Sequence, residues 1–111
     1  MAIFIFGAVA VEARVSAQIA GGYSSLSVKS KDARDAAAFA IKTQSATSSK
    51  KIVLVKILKA EKQVVAGLNY RICLLVRESK GRSKSITAVV YQDLSNVLSL
   101  TDWKGGGCTE L

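Results

Sequence analysis

Apolar and polar residues along the chain follow two different spacings, which predict one helix followed by several strands. Residues 32–46, DARDAAAFAIKTQSA, mix small apolar side chains with polar ones at a helical spacing. Either Ser30 or Asp32 can cap the first turn of this helix, and the Ser-rich residues 45–49 end it. Phe39 and Ile41 are its large apolar side chains.

The strand pattern begins at residue 52 and continues to residue 100. Val53, Val55 and Ile57 share one phase, but the apolar phase then shifts to Leu58 and Ala60, so we expect a bulge near Leu58. The later strands are marked by alternating apolar residues: Tyr70, Ile72, Leu74 and Val76, then Ile86, Ala88 and Val90, then Leu98 and Leu100. The pattern predicts an α+β domain in which one helix packs across an antiparallel sheet of four to five strands.

Composition favours a binding protein over an enzyme. The 111 residues form one domain with no His and two Cys. Without an imidazole there is no Ser/His/Asp triad, no Cys/His pair and no His-ligated zinc, and two thiolates do not complete a four-Cys zinc site. Arg71 and Arg77 could lower the pKa of Cys73, but no general base accompanies it. We expect no catalytic residue, metal or cofactor.

The formal charge of +8 raises the question of a nucleic-acid or membrane partner. The cations are scattered along the sequence, and only residues 80–84 are dense. Gly81 within that stretch indicates a solvated hairpin turn. Aromatic residues for base stacking are few, so neither nucleic acid nor membrane is the expected partner.

The first residues predict an export signal. Residues 2–11, AIFIFGAVAV, are too short to span a bilayer but suit a signal h-region, and residues 15–17 offer a cleavage site. We therefore expect a secreted protein with a signal peptide at 1–17, a folded domain at 18–104 and a flexible tail at 105–111. The alternative is an apolar N-terminal strand.

Cys73 and Cys108 can form a single bridge or remain free thiols, and the sequence leaves both open.

Residues 63–70, QVVAGLNY, lie at the first predicted hairpin and resemble the QxVxG segment of the cystatin superfamily. Residues 19–22, IAGG, resemble the N-terminal trunk of that superfamily, and residues 39–41, FAI, resemble a segment of the plant members' helix. Residues 54–62 also resemble the strand that leads into QxVxG in the plant members. The resemblance extends over residues 19–103 and implies the cystatin-like α+β fold.

The resemblance implies a reversible, non-covalent inhibitor of papain-like cysteine proteases such as papain and the cathepsins. Such inhibitors occlude the substrate cleft with the N-terminal trunk and two hairpins. The implied contacts are Ile19, Ala20, Gly21 and Gly22 in the trunk and Gln63, Val64, Val65, Ala66 and Gly67 in the first hairpin. We expect Val65→Asp or Gly67→Trp to abolish inhibition without unfolding the domain. A monomer is expected, with a domain-swapped dimer as the alternative.

The second hairpin departs from the superfamily pattern. Relatives place Pro-Trp or Leu-Pro there, whereas this chain has no Pro. The distance from QxVxG to the second hairpin in the plant members, counted from Gln63, implies Leu94-Ser95, and Asp102-Trp103 is the alternative. In the favoured register Trp103 packs at the end of the last strand, and it is retained as a candidate contact. The competing function is a cystatin-fold module that uses its basic residues to bind nucleic acid or anionic surfaces.

Overall fold

The helix and strands follow one another along the chain with short connections. A computed structural model describes residues 22–79, 81–106 and 108. The elements are β1 (Tyr23–Leu26), α1 (Lys31–Ser48), β2 (Ile52–Val65), β3 (Gly67–Glu78), β4 (Ser83–Gln92) and β5 (Leu98–Gly105). The strands form one sheet in the order β1-β2-β3-β4-β5, and every neighbouring pair is antiparallel.

Helix α1 begins at a side-chain cap and crosses one face of the sheet. The Ser30 hydroxyl accepts a hydrogen bond from the Ala33 amide at 3.1 Å, which satisfies one of the free donors of the first turn. Ser49 ends the helix in the left-handed conformation. The buried residues of the helix are all alanines: Ala33, Ala36, Ala37 and Ala40. Their small side chains let the helix backbone lie close to the sheet.

The core lies between α1 and the inner face of the sheet. Alternate residues of β3 and β4 face the helix and are buried: Tyr70, Ile72, Leu74, Val76, Ile86, Ala88 and Val90. Partly buried side chains close the sides of this core, among them Phe39 and Ile41 from α1. The predicted α+β fold, one helix on an antiparallel sheet, is confirmed. The sheet has five strands, because β1 adds to the four strands that follow the helix.

Strand β2 contains two irregularities, of which the sequence indicated one. Its register with β3 shifts around Leu58, as predicted, and also around Val55. Because of the extra residue at Val55, Val53 and Ile57 lie on opposite faces, so the prediction that they share a face is wrong. β1 pairs with residues 60–63 of β2, so both bulges lie beyond the end of β1, where they disturb the sheet edge and discourage sheet extension by another chain.

A disulfide ties the C-terminal residues to the outer face of the sheet. Cys73 is bonded to Cys108, with their Cα atoms 5.5 Å apart, and Cys73 is buried. Close to it, the Gly106 amide donates to the Ser85 carbonyl at 2.8 Å. The free-thiol alternative is therefore wrong, and the segment predicted as a flexible tail is attached to the sheet at Cys108. No described helix is long and apolar enough to cross a membrane.

Candidate functional site

Two hairpin tips lie side by side at one end of the sheet. The first tip is residues 64–67, between β2 and β3, and the second is residues 93–97, between β4 and β5. We refer to these two segments together as the hairpin edge. Leu68 pairs with Gln92, so the two tips start from neighbouring positions in the sheet. They line a shared open groove of about 300 Å³.

The side chains at the hairpin edge are apolar and exposed. Val64 is 51% exposed and Leu94 is 81% exposed, and Val65 and Val97 are also largely accessible. Isolated apolar side chains are ordinary on protein surfaces, but several on adjacent turns form a patch that favours contact with another molecule. The structure thus brings together the predicted residues of both hairpins.

Hydrogen bonds hold the first hairpin in shape. The Asn69 amide Nδ2 donates to Gln63 Oε1 at 2.8 Å, across the base of the turn. The Tyr91 hydroxyl donates to the Ala66 carbonyl and so connects the tip to β4. These contacts fix the turn before any partner binds.

Gly67 is required by the fold itself. Its φ of +104° lies in a region that residues with a Cβ rarely adopt. A Cβ at this position would lie 2.3 Å from the Gln92 carbonyl oxygen, a backbone atom of the neighbouring strand. We therefore expect Gly67→Trp to destabilise the domain, in contrast to the expectation from the sequence.

We expect Gly67→Ala to destabilise the domain by about 2 kcal/mol or more, because it combines backbone strain with a backbone clash. Urea unfolding followed by tryptophan fluorescence measures this loss. Gly22→Ala is the matched control, since a Cβ at Gly22 meets no atom of the described residues within 4 Å. Equal midpoints for the two variants would show that Gly67 is not structurally required.

The second hairpin is held by an aspartate. The Asp93 carboxylate Oδ1 accepts from the backbone amides of Ser95 at 2.8 Å and Val97 at 3.0 Å. Asn96, the last of the three residues between Asp93 and Val97, has a positive φ of 67°, a conformation that Asn tolerates well. Asp93 stiffens this turn without a proline. The Asp-x-x-Asn spacing of residues 93–96 is the sequence signal for such a turn.

Side-chain hydrogen bonds connect the second hairpin to the core. The Tyr70 hydroxyl donates to Gln92 Oε1, and Gln92 Nε2 donates to Asn96 Oδ1, both at 3.2 Å. Burial, together with the negative charge of Asp32, raises the pKa of the Tyr70 phenol. The phenol therefore stays protonated, and able to donate, throughout the neutral pH range.

The N-terminal segment enters the sheet from the hairpin edge. Tyr23, the first residue of β1, pairs with Gln63 near the first tip, and Gly22 precedes it. Arg71 anchors this strand, because its guanidinium lies 4.0 Å from the centre of the Tyr23 ring and bonds Glu61 at 2.6 Å. The other predicted trunk residues, Ile19, Ala20 and Gly21, and the predicted signal peptide at 1–17 lie outside the described residues.

Trp103 lies away from the two tips. Trp103 is on β5, where it pairs with Ala88 of β4. Its side chain packs against the core, beside Thr43 and Thr47 of the helix. The structure therefore does not bring it together with Val65 and Leu94. Among the described residues, no group of His, Cys, Asp and Glu could hold a metal ion.

The sequence and structure both match one superfamily. The sequence model of the SQAPI family, described as aspartic acid proteinase inhibitor, matches residues 26–105. The chain belongs to this family, within the cystatin superfamily. A cystatin-superfamily relative from rice, Oryza sativa subsp. japonica, is described as cysteine proteinase inhibitor 8. It is 30% identical over 88 residues, which cover 78% of this chain and 72% of the rice protein.

Solved structures of cystatins share the fold of this SQAPI-family domain. The salivary cystatin of the soft tick Ornithodoros moubata superposes with a TM-score of 0.70 at 21% identity, over 80% of this chain and all of the tick protein. Mialostatin, a gut cystatin of the hard tick Ixodes ricinus, gives 0.67 at 15% identity, over 78% of this chain and 98% of its own. The matching family and the rice relative are both described as proteinase inhibitors, and membership of this family makes the chain an inhibitor-type protein and not an enzyme.

Proposed function

We propose that this cystatin is a reversible, non-covalent inhibitor of papain-like cysteine proteases that blocks the substrate cleft. The observation that carries the proposal is the hairpin edge, where two apolar, exposed tips lie on adjacent turns. The charge of Asp93 does not oppose this role, because its carboxylate is turned toward the amides of its own loop. The rice relative named a cysteine proteinase inhibitor supports the same class of target.

The physical reason for inhibition is occlusion by a rigid surface. The cleft of a papain-like protease accepts extended peptide, so apolar turns can fill it without presenting a peptide bond to the nucleophile. The contacts of Gln63, Ala66 and Asp93 hold both turns before binding, and preformed turns lose little conformational entropy on docking. Val64 and Val65 would fill the cleft from the first hairpin, and Leu94 and Ser95 from the second.

The N-terminal trunk would add the third contact. Support for this contact comes from Tyr23, which pairs with Gln63 beside the first hairpin, so β1 begins at the hairpin edge. In this proposal Ile19 and Ala20 occupy substrate pockets, and the two glycines turn the chain away from the catalytic centre. Trp103 contributes to packing.

We also propose that the protein acts as a secreted monomer. Disulfides persist in oxidising compartments, and the Cys73–Cys108 bridge supports export. The apolar segment at residues 2–11 is the proposed signal. Its partners would be extracellular or vesicular proteases, and no cofactor takes part.

Titration of papain and of a cathepsin with the oxidised protein tests the proposal. We expect stoichiometric loss of activity, full recovery after dilution and an inhibitor chain that remains uncleaved. Inhibition that persists after dilution, or cleavage of the chain in step with inhibition, would contradict the reversible occlusion. Unchanged activity of both enzymes at a large excess of the protein would overturn the target class.

A second candidate target is an aspartic protease, because the matching family is described as an aspartic acid proteinase inhibitor. Aspartic proteases also bind extended peptide in a long cleft, so the same apolar edge is compatible with them. A parallel titration of pepsin separates the two candidates. Inhibition of papain with unchanged pepsin activity supports the first candidate, and the reverse pattern supports the second.

A further inference from the structure

The fold gathers basic residues that are far apart in the sequence. Lys50 and Lys51 lie in the turn between α1 and β2, Arg82 lies in the connection between β3 and β4, and Lys84 lies at the start of β4. Ile52 pairs with Glu78, so these two connections meet at one end of the sheet. We call this group of four cations the basic pole. All four residues are exposed.

Lys50 and Lys51 of the basic pole line an open cleft, and the described residues around it supply little compensating charge. The cleft is about 480 Å³ and is lined by Ser49, Lys50, Lys51, Glu78, Ser79 and Gly81. Glu78 lies 3.9 Å from the Lys50 ammonium and 3.6 Å from the Lys84 ammonium. Ion pairs this long and this exposed contribute little, and one carboxylate cannot neutralise four cations. The cleft therefore has a positive potential.

The pole is remote from the hairpin edge. Strand β2 runs from Ile52 at the pole to Val65 at the edge, a span of roughly 40 Å for an extended strand. The carboxylates Asp32 and Asp93 lie toward the edge, where both line clefts with Gln92 and Asn96. Charge is thus distributed unevenly along the molecule, and a ligand at the pole leaves the hairpins accessible.

We propose that the basic pole binds an acidic polysaccharide, a chain of carboxylated or sulfated sugars, while the hairpin edge remains free. Repeated anionic groups match a cluster of flexible ammonium and guanidinium groups, and binding releases counterions. The hydroxyls of Ser49 and Ser79 are available to sugar hydroxyls at the same cleft. The ligand would hold the inhibitor in a charged matrix without blocking its docking surface.

Two observations favour a polysaccharide over other polyanions. The described residues that line the cleft include no aromatic side chain on which a base could stack and no large apolar side chain that could enter a bilayer. The disulfide also indicates an oxidising compartment, where acidic polysaccharides are abundant and nucleic acids are not the usual partners.

Binding of the full oxidised chain to heparin and to polygalacturonate, measured at several salt concentrations, tests the proposal. The first variant replaces Lys50, Lys51, Arg82 and Lys84 with Gln. The matched control replaces Lys29, Lys31, Arg34 and Lys42 with Gln, all exposed and on or before α1. Both variants lose the same charge. We expect the pole variant to bind on the order of tenfold more weakly or worse at low salt, with a shallower salt dependence, and the control to stay within about threefold.

Equal losses in the two variants would overturn the proposal, because binding would then follow net charge. Tighter binding to a single-stranded oligonucleotide or to phosphatidylserine vesicles than to either polysaccharide would overturn the choice of ligand. Papain titrations of the same variants keep this result separate from the proposed function. We expect the pole variant to inhibit like the wild type, and saturating polysaccharide to leave inhibition unchanged.

Discussion

Val65→Asp is expected to weaken inhibition of papain by about 100-fold, or about 3 kcal/mol. Val65 lies at the first hairpin tip and is 38% exposed, so the change leaves the core intact. In the proposed complex the carboxylate would be buried in an apolar cleft without a partner, and it would lose its hydration there. Inhibition constants from papain progress curves measure the effect.

Val55→Asp is the matched control for this prediction. Val55 belongs to the same strand and is 45% exposed, but it lies at a bulge far from both tips. We expect it to inhibit within about threefold of the wild type. Similar inhibition by the Val65 and Val55 variants would mean that the first hairpin does not enter the cleft. Matching thermal unfolding curves would show that neither result comes from misfolding.

Replacing both Cys73 and Cys108 by Ala is expected to lower the free energy of unfolding by about 4 kcal/mol. The bridge joins residues 35 positions apart, and a loop of that length restricts the unfolded chain by an amount of this size. Urea unfolding of the oxidised wild type and of the double variant gives the difference. Cys73 pairs with Lys59, in the middle of β2 and away from both hairpin tips. Inhibition of papain should therefore change little.

Reductant provides an internal control for the disulfide. It should lower the stability of the wild type to about that of the double variant and leave the double variant unchanged. A wild type that unfolds at the same urea concentration before and after complete reduction would contradict the predicted contribution. A double variant that responds to reductant would show that the effect does not come from the bridge.

The main elements could be predicted because their signals are local. The helix needs only a cap at Ser30 and a stripe of small residues, and β3 needs only the alternation from Tyr70 to Val76. The second bulge, at Val55, could not be predicted. Val53, Val55 and Ile57 fit an uninterrupted strand equally well, and only the pairing with β3 places Leu54 in the core instead.

The candidate site was predictable to a similar degree. The peptide at residues 63–70 locates the first hairpin, and spacing locates the second at Leu94. The sequence did not reveal that Gly67 is packed against the Gln92 carbonyl, because that contact joins adjacent strands whose register is set by the whole sheet. The sequence could not decide whether Cys73 and Cys108 form a disulfide for the same reason, since two thiols pair only when the fold brings their Cα atoms within reach.

The sequence by itself determined the α+β architecture, since periodicity and turn chemistry act between residues that are close along the chain. The resemblance of residues 63–70 to the cystatin superfamily indicated the family and the positions of the two turns. The tertiary structure decided which distant residues became neighbours. It placed Val65 beside Leu94 at one end of the sheet, and Lys50 beside Lys84 at the other. Scattered charge became a basic pole because antiparallel strands return to the same end, and that geometry cannot be read from the order of residues alone.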